Sequence, residues 1–181
     1  MKKYDLYAKK RESADLVQTL ESQISTAHNV LQLDELKCRK RVLRRLGFTS
    51  SEDIVEKKGR VACEISTGDE LLLTELIFTG TFNDMEPEHC AALLSCFVFG
   101  ERSEHPVRLK EELAAPLRIL QDTARRIAKV SVECRLPVVE QDYVQSFKVE
   151  LMDAVLQWCQ GARFVDICKM TDVFEGSIIR A

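Results

Sequence analysis

Glycine and proline are scarce in this chain of 181 residues, seven and four respectively. That scarcity argues against a loop-rich or all-β fold. Seven cysteines are present (Cys38, Cys63, Cys90, Cys96, Cys134, Cys159 and Cys168), yet no Cys-x-x-Cys pair occurs. Structural zinc is therefore disfavoured, and the thiols read as small apolar residues of a reducing compartment. No G-x-x-x-x-G-K-[ST] string is present, so a P-loop is excluded. No apolar run reaches membrane-spanning length, and Met1-Lys-Lys-Tyr-Asp is followed by no signal-peptide core. A soluble intracellular protein without membrane contact is expected. The net charge of -3 supplies no global basicity, so nucleic-acid binding would need a local patch.

What the chain does contain is helical periodicity. Hydrophobic residues are 45%, enough for a core, and the length suits one domain with an appendage. Residues 9–46 hold no glycine or proline and read as one helix of roughly 57 Å. Leu16, Leu20, Ile24, Ala27 and Leu31 give it a coiled-coil-like seam. Gly47 ends it. Ile54 and Val55 suggest a short strand over 53–56, and 59–66 is ambiguous between strand and helix. Together these are compatible with the remnant of a winged-helix unit.

From Thr67 the pattern is plainly helical. Thr67-Gly-Asp-Glu70 reads as a capping box, and Gly80 closes the helix that follows. Pro87 opens a helix running to Phe99, apolar nearly all round and so expected at the buried centre of a bundle. Residues 107–134 form a long amphipathic helix with Leu109, Leu113, Leu117, Leu120, Ala124 and Ile127 inward. Asp122 is placed to pair with Arg126 at i,i+4. Helices are expected at about 148–160 and 163–169. A last one is capped at Asp172, with Glu175 completing the box. No stop signal follows Ile178 and Ile179, so the chain is expected to be a piece of a longer protein. The fold class is all-α: a helical bundle with a long N-terminal stalk-like helix. The expected division is 1–35 as an arm, 36–66 as a linker or winged-helix-like segment, and 67–181 as the bundle.

Chemistry-bearing constellations are few. In Lys37-Cys-Arg-Lys-Arg-Val-Leu-Arg-Arg45, six of nine residues are basic. Lys37, Arg39, Lys40, Arg41, Arg44 and Arg45 suit phosphate contacts. They equally suit a solvated face or a partner for acidic residues, and a nuclear localisation signal is a third reading. Arg125, Arg126 and Lys129 read as surface charges. His28, His89 and His105 have no carboxylate or cysteine at catalytic spacing and read as surface or capping residues. Trp158 closes an apolar stripe and reads as core. Nothing resembles a nucleophile–base pair. By chemistry alone the chain is a binding or positioning module.

Several strings nevertheless resemble the C-terminal region of the superkiller-type DExH-box RNA helicases. They are Leu36-Lys-Cys-Arg-Lys-Arg-Val-Leu-Arg-Arg-Leu-Gly-Phe48, Lys58-Gly-Arg-Val-Ala-Cys-Glu-Ile65, Glu70-Leu-Leu-Leu-Thr-Glu-Leu76, Leu93-Leu-Ser-Cys-Phe-Val-Phe99, Arg125-Arg-Ile-Ala-Lys-Val130 and Phe174-Glu-Gly-Ser-Ile-Ile-Arg180. Lys37–Arg45 and Cys168-Lys-Met-Thr-Asp-Val-Phe-Glu-Gly-Ser177 favour the nuclear branch, the exosome-cofactor helicases of the TRAMP polyadenylation complex. The resemblance is close over about residues 30–181, and 1–30 match only in character, as the returning arm of the family's stalk.

The resemblance implies an ATP-dependent 3′→5′ RNA helicase that delivers RNA to the nuclear exosome for rRNA processing and surveillance. ATP and Mg would sit in RecA domains of the same parent chain, with no cofactor, metal or catalytic residue here. The bundle would pack on those domains and frame the RNA path. Partners implied are RNA, the nuclear exosome and polyadenylation or adaptor subunits, and the location is the nucleolus and nucleoplasm. Phe174–Arg180 would begin the family's RNA-contacting helix, leaving Arg180 as its one basic residue here. The alternative is a free-standing helical protein-interaction module without catalytic activity, bound through residues 9–46.

Overall fold

A computed structural model describes residues 2–30, 32–98 and 111–180, with the side chains of all but Lys2, Lys3, His28, Asn29, Val30 and Arg180. Ten helices and one isolated antiparallel bridge, Thr49 with Val55, are the regular elements among the described residues, so the all-α expectation holds. In chain order the elements begin with α1 (Lys2–Val30) and α2 (Leu33–Arg45). The expected single helix over 9–46 is thus two. Gln32 adopts the left-handed region (φ 46°), which no continuing α-helix tolerates. Residues 4–27 of α1 are exposed throughout, including the seam residues Leu16, Leu20 and Ile24.

Beyond α2 the chain turns at Gly47 (φ 75°), which donates to the Arg44 carbonyl while Phe48 donates to that of Leu43. This pair is a Schellman ending. Phe48 is buried and anchors the turn. The ambiguous segment resolves as helix α3 (Lys57–Cys63), and the strand expected at 53–56 is only the single bridge at Val55. Gly59 permits this packing, since a Cβ there would collide with the Phe48 carbonyl oxygen.

The bundle is built from α4 (Glu70–Phe78), α5 (Pro87–Val98), α6 (Glu111–Glu133), α7 (Glu140–Ser146) and α8 (Met152–Cys159). Asp69, not Thr67, is the N-cap of α4: its carboxylate accepts from the Leu72 amide at 2.7 Å. The other Asp69 oxygen accepts from the Tyr143 hydroxyl at 2.8 Å, fastening α7 to α4. Burial and the neighbouring Asp69 push the Tyr143 phenol far up, so it stays a donor. The core joins Leu72 and Leu76 of α4, Leu93 and Cys96 of α5, Leu113, Leu117, Leu120, Ala124 and Ile127 of α6, and Met152 and Leu156 of α8. Leu109 lies outside the described residues. Phe147 meets both Phe97 and Tyr143 edge-on at centroid distances of 5.3 Å. Burial and the nearby Glu150 charge push the Cys96 thiol up to about 12, consistent with an inert core cysteine.

A second small core of Leu151, Ala154, Ile167 and Val173 holds the C-terminal helices α9 (Phe164–Cys168) and α10 (Glu175–Arg180) against α8. α10 starts three residues after Asp172, the expected cap. The Phe174 carbonyl accepts from Ser177 and Ile178 and opens the helix there.

Candidate functional site

The basic face of α2 is the first candidate, and the structure answers most of its charges internally. Lys37 pairs with Asp34 at 3.0 Å and Arg39 with Glu35 at 2.6 Å, both within the helix. Asp53, in the turn before α3, accepts from Lys40 at 3.2 Å and from Arg44 at 2.7 Å. Hydrogen bonds from Arg44, then from Lys40, hold its carboxyl below the usual 3.8. Arg45 reaches across to Glu133 at the end of α6. Arg41 is exposed and has no acidic partner among the described residues. Five of the six basic residues singled out in the sequence are therefore ion-paired inside the chain, and Arg41 stands apart. Such exposed pairs contribute only about 0–1 kcal/mol each, so they position side chains more than they stabilise the fold. The side chain of Arg180, the seventh RNA-binding candidate, lies outside the described residues.

Arg126 does not pair with Asp122. It bonds Glu75 of α4 at 2.6 Å, while Asp122 takes Arg125 at 2.5 Å. Arg125 shares the exposed side of α6 with Asp122, whereas Arg126 is turned towards α4. Glu75 is buried and is bonded from the other side by Lys58 of α3. Lys58 also donates to the Leu46 carbonyl at 2.9 Å and lies 4.8 Å from the centroid of the Phe48 ring. One carboxylate thus joins α3, α4 and α6 and, through Leu46, the end of α2. The sequence reading missed it, although a lone glutamate inside Leu71-Leu-Leu-Thr-Glu-Leu-Ile-Phe78 is itself a signal of a buried pair.

The second candidate is an apolar groove of about 540 Å³ between α5, α8, α9 and α10. Leu94 and Val98 form one wall, Trp158 and Phe164 another, and Ile178 and Ile179 line the end. Trp158 is 66% exposed, so the expectation that it packs in the core is wrong. It falls on the open side of α8, opposite Met152 and Leu156. For the same reason α5 is not buried all round, because Leu94 and Val98 face this groove half-exposed. Ile179 is 72% exposed, and Phe174, just before α10, is 70% exposed.

No group of three or more His, Cys, Asp or Glu side chains able to hold a metal occurs among the described residues. His89 stands 3.7 Å from Glu112, too long for a hydrogen bond, and His105 lies outside the described residues. No described helix is long and apolar enough to cross a membrane.

Comparison with known proteins gives these surfaces a context. The model of the DSHCT (NUC185) domain matches residues 52–181. The ATP-dependent RNA helicase mtr4 of Schizosaccharomyces pombe is 61% identical over 179 residues, 98% of this chain and 16% of that protein. The exosome RNA helicase MTR4 of Homo sapiens is 58% identical over 177 residues, again 98% of this chain and 17% of that protein. The DExH-box ATP-dependent RNA helicase DExH9 of Arabidopsis thaliana is 45% identical over 172 residues. The chain thus spans about one-sixth of the length of these curated relatives.

Proposed function

The chain belongs to the DSHCT family, and from that premise we propose that it is the non-catalytic helical frame of an ATP-dependent RNA helicase acting with the exosome. The observation that carries this reading is identity of 58–61% with exosome and mtr4-type helicases over 98% of the chain. In this reading ATP and Mg bind RecA domains elsewhere in the parent polypeptide. The bundle supports those domains and borders the path of RNA moving 3′→5′. Residues 1–35 serve as the returning arm of a stalk, 36–66 as a linker or winged-helix-like segment, and 67–181 as the bundle. The RNA-facing candidates are Arg180 and the basic residues of α2. The nuclear exosome, a TRAMP-type polyadenylation or adaptor complex, rRNA processing and a nucleolar or nucleoplasmic location complete the proposal.

The exposed seam of α1 also suits a free-standing interaction module, because Leu16, Leu20 and Ile24 lie open to solvent. A segment swap separates the two readings. This chain replaces the matching stretch of the S. pombe helicase, and ATP hydrolysis and unwinding of a 3′-tailed RNA duplex are measured. The helicase reading expects both activities to survive. A folded chimera that hydrolyses ATP but cannot unwind would overturn it.

A further inference from the structure

Arg41 does not stand alone in space. A cleft of about 320 Å³ between α2 and the end of α6 is lined by Arg41, Arg44, Arg45, Glu133 and Cys134. Three guanidinium groups therefore border one small concavity with a single carboxylate in its lining. Two of the three are held from outside it or at its rim: Arg44 by Asp53, and Arg45 by Glu133. That tethering fixes their directions before any ligand arrives and lowers the ordering cost of binding. Arg41, with no acidic partner among the described residues, keeps its full set of N–H donors.

From this juxtaposition we infer that the α2–α6 cleft is a phosphodiester-binding pocket, with Arg41 as the donating fork and Arg44 and Arg45 as its charged walls. A planar guanidinium matches two phosphate oxygens at once, which an ammonium does not. The ligand is one backbone phosphate of single-stranded RNA, a choice that rests on the helicase reading above. The contact is to the sugar-phosphate backbone and not to a base edge, so it carries no sequence information directly. Cys134 is buried and lines the cleft as an apolar wall.

The test uses residues 1–181 and a short fluorescein-labelled oligouridine followed by anisotropy across a salt series. Arg41→Ala is expected to weaken binding roughly fivefold and to reduce the slope of log affinity against log salt by about 0.7, the signature of one lost phosphate contact to a single strand. Arg41→Lys should keep the slope while recovering only part of the affinity, since charge returns without the fork. Arg118→Ala, a basic residue on the exposed side of α6, should change little, and urea midpoints verify that each variant is folded. Equal losses for Arg41→Ala and Arg118→Ala would overturn the pocket, because charge alone would then account for binding. Tighter binding of polyglutamate than of oligouridine, abolished by Arg41→Ala, would assign the cleft to an acidic protein segment and overturn the RNA assignment. Absence of binding to wild-type protein at low salt would also overturn it. The segment swap can still succeed in that case, so failure of the pocket and failure of the helicase reading remain distinct.

Discussion

Glu75 is the residue on which most of the polar architecture converges. Its carboxylate is buried at 4% side-chain exposure and is satisfied by Lys58 and Arg126 from opposite sides. Removing one partner of a buried pair leaves charge uncompensated, at a cost of about 3–5 kcal/mol. Glu75→Ala should therefore lower the unfolding free energy by about that amount in urea titrations, far more than Glu35→Ala at an exposed pair. Asp53 makes a pH-dependent contribution of known sign. Its carboxyl is held below its ordinary value of 3.8 by Arg44 and Lys40. The stabilisation is thus complete above that value and is lost as pH falls through the folded-state value. The stability difference between wild type and Asp53→Asn should be constant near neutrality and shrink under strongly acidic conditions. In the sequence Glu75 stood out only as a lone acid in an apolar run, and Asp53 gave no sign of its partners. The basic run was legible as a run, and Asp34 and Glu35 lie at helical spacing from Lys37 and Arg39, but the acids that answer Lys40, Arg44 and Arg45 come from a turn and from a helix end 88 residues away, which linear spacing does not reveal.

At the scale of elements, helix endings divide into those the sequence announces and those it hides. Gly47, Gly80 and Gly161 all adopt positive φ and end their helices where glycine predicts. The end of α6 has the same geometry without the residue. Arg135 has φ 68° and donates to the Val132 carbonyl, while Leu136 donates to that of Ser131. An arginine gives no local sign of a left-handed cap, and the nearest helix-breaking residue is Pro137, two positions on. Arg135→Gly should raise stability by about 1 kcal/mol, because glycine occupies this region without the Cβ penalty; a lowered urea midpoint would contradict the assignment. α7 escaped the sequence reading for a related reason. It is seven residues long with no fully buried side chain, and its anchors, Tyr143 and Val144, pack from a half-buried face too short to show a period. The break at Gln32 escaped as well, since glutamine is a good helix former and nothing nearby interrupts the pattern.

At the scale of the whole molecule, the all-α class and the central helices were legible because the apolar period of α6 and the caps around α4 and α5 agree with one another. The groove was not. Leu94, Val98 and Trp158 look like core residues in any one-dimensional reading, and only the packing shows that the third side of α5 and α8 is open. Ile178 and Ile179 of α10 close one end of that groove, and Ser177 is buried beneath them. Deleting residues 174–181 from a parent helicase that carries this chain should slow duplex unwinding while leaving ATP binding intact. Unwinding at the undiminished rate would count against a role for α10.

The groove also bears on how the molecule fares in a cell. A solitary copy displays Trp158 and Ile179 to water in the same groove, and Phe174 is exposed as well. Surfaces of that kind are what chaperones and degradation machinery engage. The steady-state amount of this polypeptide should then track how fully that trough is covered, and loss of whatever covers it would be felt first as turnover of the protein, before any change in the chemistry it serves.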